Sequence, residues 1–113
     1  MTTTKTAPGV RQLSARELKA MLDAGEPLTL FDVRTPEERA IATIAAARPL
    51  DEDGVAHLQG LDPDALVVFH CHHGMRSQAA AHHFLAQGFT NVANLAGGIE
   101  SWSLAVDPSV PRY

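Results

Sequence analysis

The chain has 113 residues, of which 45% are hydrophobic and 19% are charged, and its formal net charge at neutral pH is -4. This length fits one domain, and the composition is that of a globular protein and not of a disordered chain. The acidic balance argues against a general nucleic-acid binder, because such a protein needs a basic face.

The first predicted element is a helix that begins after Ser14. Ser14 and Glu17 have the S-x-x-E spacing of a capping box, and Gly25 is a typical helix stop. Residues 1–8, which precede this region, are rich in threonine and are expected to form a flexible arm.

Three short apolar runs predict buried strands, at residues 28–33, 66–70 and 92–95. Helices are expected between and after them: one with Pro36 in its first turn, a short one near residues 55–58 in the loop-rich segment 48–65, one that ends at Gly88, and one that starts near residue 99. This alternation predicts an α/β fold with a mostly parallel central sheet and helices on both faces. We expect this domain to cover residues 9–105 and an extended tail to cover residues 106–113.

The chain carries one cysteine, so it cannot form an internal disulfide, which favours a reducing compartment. Lys5 is not followed by an apolar stretch, and the longest apolar run, residues 41–47, is too short to span a bilayer. We therefore expect a cytoplasmic protein that has no membrane partner.

The candidate site is the loop that joins the second apolar strand to a helix, because it begins with Cys71 and ends with Arg76. In a parallel α/β sheet, ligands bind at the carboxyl ends of the strands. Loop N–H groups, a helix N-terminus and the guanidinium of Arg76 all favour an anion there, and the nearest anion is the Cys71 thiolate. Gly74 allows the loop a backbone conformation that is closed to other residues.

A metal site is not expected, although histidines surround Cys71. Zinc sites in proteins use ligands whose spacing lets the side chains converge, such as C-x₂-C with a distant second pair. His70, His72 and His73 are nearly adjacent in one tight loop, so their side chains point in different directions.

Three motifs, in the right order, resemble those of single-domain rhodaneses, the thiosulfate and persulfide sulfurtransferases. FDVRTPEE at residues 31–38 is similar to the family's DVR-x-P-x-E block, and CHHGMRS at residues 71–77 to its C-x-x-G-x-R-S loop. LAGGIESW at residues 95–102 is similar to its L-x-G-G-x-x-x-W block. The sequence departs from the family at residues 42–47, where ATIAAA replaces the usual G-H-I-x-G-A.

The resemblance implies a rhodanese-like fold and a sulfurtransferase that needs no cofactor. Cys71 would be the catalytic nucleophile, take a sulfur atom from thiosulfate or a persulfide, and pass it to an external acceptor. That acceptor would be cyanide, a small thiol or a thiol of a partner protein. The residues implied to surround the substrate are His72, His73, Gly74, Met75 and Arg76. A thioredoxin-type cycle would require a second, resolving cysteine, which the sequence lacks.

Two other functions remain open. Cysteine phosphatases of related fold also use a loop cysteine, but they need C-x₅-R, whereas Cys71 and Arg76 have the spacing C-x₄-R. A non-catalytic or weakly active binding module is the other alternative, because the Gly-His pair of the family is replaced by Ala42 and Thr43.

Overall fold

The structure is a computed structural model that describes residues 9–113. In chain order its elements are β1 (Arg11–Leu13), α1 (Ala15–Asp23), β2 (Thr29–Asp32), α2 (Pro36–Ile41), β3 (Ala47–Pro49), α3 (Glu52–Gln59), β4 (Val67–His70), α4 (Met75–Ala86), β5 (Val92–Leu95) and α5 (Gly98–Ala105). The flexible arm predicted for residues 1–8 lies outside the described residues.

The five strands form one sheet in the order β1-β5-β4-β2-β3, and every neighbouring pair is parallel. The central strand β4 is buried at all four positions, which explains its continuous apolar character. The predicted α/β fold with a parallel central sheet is therefore confirmed.

Helices cover both faces of this sheet, as predicted. Helices α1 and α5 and the segment after α2 pack on one face, where Leu18, Ile44 and Trp102 are buried. Helices α3 and α4 pack on the other face, around Leu58 and Phe84. None of the helices between residues 9 and 113 combines the length and apolar character that crossing a bilayer requires.

The two helices with the clearest start signals begin where the sequence predicts. Ser14 accepts a hydrogen bond from the backbone N–H of Glu17, whose carboxylate accepts one from Ser14 in return. Thr35 and Glu38 form the same reciprocal capping box at α2, with Pro36 at the first helical position. Both helices thus satisfy N-terminal N–H groups that would otherwise lack partners.

Three elements differ from the sequence prediction. Strand β1 was expected as part of the chain before the first helix, and β3 as loop. Each has only three residues and pairs with one neighbour at an edge of the sheet, so neither has the apolar run of a buried strand. Helix α3 starts earlier than expected, at Glu52, because the Asp51 side chain accepts a hydrogen bond from the N–H of Gly54.

The connections after β2 and β4 run to opposite faces of the sheet. The segment that follows β2 and α2 places Ala42 and Ile44 in the core of the α1/α5 face, whereas α4, which follows β4, packs on the other face. Neighbouring strands whose connections diverge in this way leave a crevice between their carboxyl ends. Cys71 directly follows β4 and therefore lies at this crevice.

Candidate active site

Cys71 is a free thiol at the carboxyl end of β4, and its residue surface is only 1% exposed. Three groups approach its Sγ atom as hydrogen-bond donors. The backbone N–H groups of Gly74 and Ser77 lie at 3.1 and 3.4 Å, and the Ser77 hydroxyl oxygen lies at 3.3 Å. The loop and the first turn of α4 therefore surround the sulfur as a cradle for an anion.

Two opposing effects act on the pKa of Cys71. Burial raises it, because the charged thiolate loses water. The hydrogen bonds from the Ser77 hydroxyl and from the backbone N–H groups of Ser77, Gly74 and Arg76 lower it, and together they outweigh burial. The pKa of the thiol thus lies below its ordinary value, which favours the nucleophilic thiolate.

The active loop, residues 71–76, is fixed from one side by the N-terminus of α5. The N–H groups of Ile99 and Glu100 donate to the carbonyl oxygens of Cys71 and His72, at 2.9 and 3.2 Å. Gly98 makes this contact possible, because a Cβ atom there would lie 2.3 Å from the carbonyl oxygen of His72. Gly98, which belongs to the LAGGIESW motif, therefore allows the N-terminus of α5 to hold the active loop.

Gly74 has the positive φ that its position predicts, at 102°. It caps the N-terminus of α4 and directs its N–H at the Cys71 sulfur. A side chain at this position would be strained by the backbone conformation and would also lie 3.3 Å from the backbone nitrogen of Gly97.

Sequence reasoning missed Asn94, whose buried amide in β5 contacts two residues that surround the Cys71 sulfur, Gly74 and Ser77. Its Oδ1 lies 2.6 Å from the Ser77 hydroxyl, and its Nδ2 donates to the carbonyl oxygen of Gly74 and to the side chain of Gln12. The Ser77 hydroxyl has one proton, so donation to Asn94 competes with donation to Cys71. An asparagine inside an otherwise apolar strand was the one available signal for this role.

Asp32 and Arg34 form a buried ion pair beside the site. The guanidinium of Arg34 donates to both carboxylate oxygens of Asp32, at 3.0 and 2.7 Å. It also donates to the carbonyl oxygen of Ala42 at 2.6 Å, which ties the end of β2 to the segment after α2. These contacts satisfy a charge that would be costly to bury alone.

His70 is completely buried between the Asp32 carboxylate and the start of the active loop. Its Nε2 lies 3.6 Å from Asp32 Oδ2, and its Nδ1 lies 3.4 Å from the carbonyl oxygen of Cys71. Burial, opposed by the Asp32 charge, lowers the pKa of His70 to about 4. The imidazole is therefore neutral at physiological pH.

The guanidinium of Arg76 pairs with the carboxylate of Glu38 of α2. The two side chains form a bidentate ion pair with distances of 2.7 and 2.9 Å. This pair, with a further hydrogen bond from the Tyr113 hydroxyl, holds the pKa of Glu38 well below its usual range. Glu38 thus neutralises part of the positive charge of Arg76, which the sequence predicts to favour an anion at the site. The same ion pair joins α2 to the active loop.

The remaining predicted site residues lie on the outside of the loop. His72 is half-buried and its ring stacks on that of His73, with 3.9 Å between centroids. Met75 is 82% exposed and does not line the sulfur cradle with its side chain in this structure. Among the predicted site residues, Gly74 contacts the nucleophile directly, because its backbone N–H donates to Cys71 Sγ. Among residues 9–113 no group of three or more histidine, cysteine or carboxylate side chains is placed to hold a metal ion.

A family model described as "Rhodanese-like domain" matches residues 14–105. The chain belongs to the rhodanese-like domain family. It is 42% identical over 74 residues to the thiosulfate sulfurtransferase GlpE of Pseudomonas aeruginosa, an alignment that covers 65% of this chain and 67% of that protein. It is 34% identical over 93 residues to the GlpE of Pseudomonas fluorescens, covering 81% and 84% of the two chains.

A solved rhodanese-like domain protein from Staphylococcus aureus has a similar structure. The TM-score is 0.73 at 26% sequence identity, and the match covers 92% of this chain and 99% of the other. The expected rhodanese-like fold and family are therefore confirmed, and the named relatives support a rhodanese-type sulfurtransferase.

Proposed function

We propose that this rhodanese-like domain moves sulfane sulfur from thiosulfate or a persulfide donor to a thiol or cyanide, through a persulfide on Cys71. The observation that carries the proposal is the set of donors around the Cys71 sulfur. Two backbone N–H groups and one hydroxyl converge on Sγ within 3.4 Å. Donors fixed in this way stabilise the thiolate before reaction and again when it leaves.

In the first step the Cys71 thiolate attacks the outer sulfur of thiosulfate. A bond forms between Sγ and that sulfur, the sulfur–sulfur bond of thiosulfate breaks, and sulfite departs with the bonding electron pair. A persulfide donor would react in the same way and release its thiolate. Cys71 then carries one additional sulfur atom.

In the second step the acceptor attacks the terminal sulfur of this persulfide. Cyanide forms a carbon–sulfur bond and leaves as thiocyanate, whereas an acceptor thiolate leaves as a new persulfide. The bond to Sγ breaks in both cases and its electron pair returns to Cys71. The low pKa of Cys71 makes its thiolate a good leaving group, because lower-pKa thiols leave faster.

Loop length favours sulfur transfer over phosphate-ester hydrolysis. Cys71 and Arg76 are separated by four residues, which is one fewer than a cysteine phosphatase loop needs to surround a tetrahedral phosphate. Moreover, the guanidinium of Arg76 is already paired with the Glu38 carboxylate, which partly neutralises the charge that a phosphate dianion would need. A cradle with N–H groups close to Sγ suits one added sulfur atom better.

The acceptor must be external, because Cys71 is the one cysteine of the chain. A thiol on a partner protein would approach across His73 and Met75, which are exposed on the outer side of the active loop. The dependence on a reduced thiol fits a reducing compartment such as the cytoplasm.

Intact mass spectrometry after incubation with thiosulfate tests the proposal. We expect the protein to gain the mass of one sulfur atom and to lose it on addition of cyanide. Cys71→Ser is the matched control: it should fold and gain no mass, because no other thiol is present. A wild-type protein that gains no sulfur from thiosulfate or from a small persulfide would favour the binding-module alternative.

A further inference from the structure

The last residues of the chain cross the crevice at which Cys71 lies. Tyr113 contacts three segments there: the active loop, the end of β2 and helix α2. Its ring stacks on His72 with 3.8 Å between centroids and an interplanar angle of 11°. Its hydroxyl lies 3.0 Å from Arg34 Nη1 and 2.6 Å from Glu38 Oε2. Because Glu38 also pairs with Arg76, Tyr113 connects with both ends of the active loop.

Several contacts hold this tail, residues 107–113, in place. Val110 is buried in the core of the α1/α5 face, and its carbonyl oxygen accepts a 2.6 Å hydrogen bond from the Ser103 hydroxyl. Arg112 forms an ion pair with Glu100 on α5 at 2.7 Å. Tyr113 is thus anchored by the segment before it as well as by its own contacts.

Three aromatic rings stack at His72, the residue that follows Cys71. The ring of His72 lies between those of His73 and Tyr113, and its Nε2 is buried without a hydrogen-bond partner among the described residues. Cys71, the next residue back along the chain, is 1% exposed. The aromatic stack therefore lies on the residue that directly follows the nucleophile.

We propose that Tyr113 is a specificity-determining residue whose ring forms a wall of the entrance to Cys71. The wall admits slender donors and acceptors and slows bulky ones. For sulfur transfer this inference rests on the proposed function, since it concerns which substrates reach the persulfide. The stack on His72 and the anchored tail hold the ring in place, and the ring itself provides the steric selection.

Alkylation of Cys71 measures access to the sulfur without requiring sulfur transfer. Rates are compared for iodoacetamide and for a bulky fluorescein-bearing iodoacetamide, at one pH and on the folded full chain. In Tyr113→Ala we expect the ratio of the bulky rate to the small rate to rise at least about fivefold, because the wall is removed. Tyr113→Phe keeps the ring and should leave the ratio within about twofold of wild type.

Leu104→Ala is the matched control, because it removes another exposed apolar side chain, 63% exposed on α5. It should leave the ratio unchanged. An unchanged ratio in Tyr113→Ala would overturn the inference. This includes the case in which both reagents react faster by the same factor, because that result indicates a loosened loop. A rise in Tyr113→Phe as large as in Tyr113→Ala would also overturn the role of the ring.

If sulfur loading succeeds, the same variants are compared with cyanide and with glutathione as acceptors. Tyr113→Ala should raise kcat/KM for glutathione by at least about fivefold more than for cyanide. A failure of sulfur loading contradicts the proposed function alone, since the alkylation ratio still tests the entrance. An altered alkylation ratio with unaltered acceptor preference would overturn the specificity role in transfer.

Discussion

Cys71 must be buried enough to be shielded and yet remain a reactive thiolate. Burial alone would keep it protonated, as it does for most cysteines at the end of an apolar strand. The pKa of Cys71 is lowered because several hydrogen-bond donors face Sγ. Ser77 supplies two of them, its backbone N–H and its hydroxyl. The hydroxyl is the part that a substitution can remove without altering the backbone.

We therefore expect Ser77→Ala to raise the pKa of Cys71. The loss of one donor leaves the effect of burial less opposed, so the inflection in the rate of iodoacetamide alkylation against pH should move to higher pH. Ser109→Ala, in the tail, serves as the control and should not shift the inflection. An unshifted inflection in Ser77→Ala would mean that the hydroxyl proton stays with Asn94.

At the scale of the elements, predictability follows from where the determining contacts lie in the sequence. The starts of α1 and α2 depend on residues within one turn of each other, so the capping box at Ser14 and the proline at position 36 indicate them directly. Strands β1 and β3 instead form because a neighbouring strand offers partners. No local pattern marks them, and so they were missed.

The same distinction applies to the site. The sequence motif contains Cys71 and Gly74, and the loop geometry follows from their spacing. Tyr113 is 79 residues from Arg34, to which it is hydrogen-bonded, and Asn94 is 17 residues from Ser77. The ion pair of Arg76 could not be predicted for the same reason, because its partner Glu38 lies 38 residues away. Contacts between residues so far apart in the sequence depend on how the fold brings the segments together, so no local sequence pattern predicts them.

The capping box of α1 provides a test of stability that is separate from the site. Ser14→Ala removes the side-chain acceptor for the N–H of Glu17, so the free energy of unfolding should fall by about 1 kcal/mol. Urea denaturation measures this loss. The pH profile of Cys71 alkylation should stay unchanged, because α1 packs on the opposite side of the sheet from α4. A shifted profile would show that α1 is coupled to the active loop.

For the molecule as a whole, the sheet separates two apolar cores, and the buried carboxylate, guanidinium and imidazole groups lie where β2 and β4 end. Asp32, Arg34 and His70 are each at most 4% exposed, and they lie at this carboxyl edge. Buried ionisable groups couple folding to pH, because the folded and unfolded chains then bind different numbers of protons. Among these three groups, burial lowers the pKa of His70 well below its ordinary value.

We expect acid to destabilise the whole fold through His70. Burial, opposed by Asp32 and reinforced by Arg34, lowers the pKa of His70 from 6.5 to about 4, so between these values the unfolded chain binds the proton more readily. Stability should therefore be fully present above pH 6.5 and should decline as the pH falls, by on the order of 2 kcal/mol at pH 4.5. Below pH 4.5 the loss from Glu38, whose pKa is also lowered, is added, so the measurement stays above that value.

Urea denaturation at several pH values from 4.5 to 6.5 gives the slope of the unfolding free energy. His70→Gln removes the titrating group, so its slope should be smaller than that of wild type, even if its stability is lower at every pH. His83→Gln, which changes an exposed histidine on α4, should keep the wild-type slope because it leaves the buried imidazole in place. If His70→Gln retained the full slope, the acid sensitivity would have to come from groups other than the imidazole between Asp32 and Cys71.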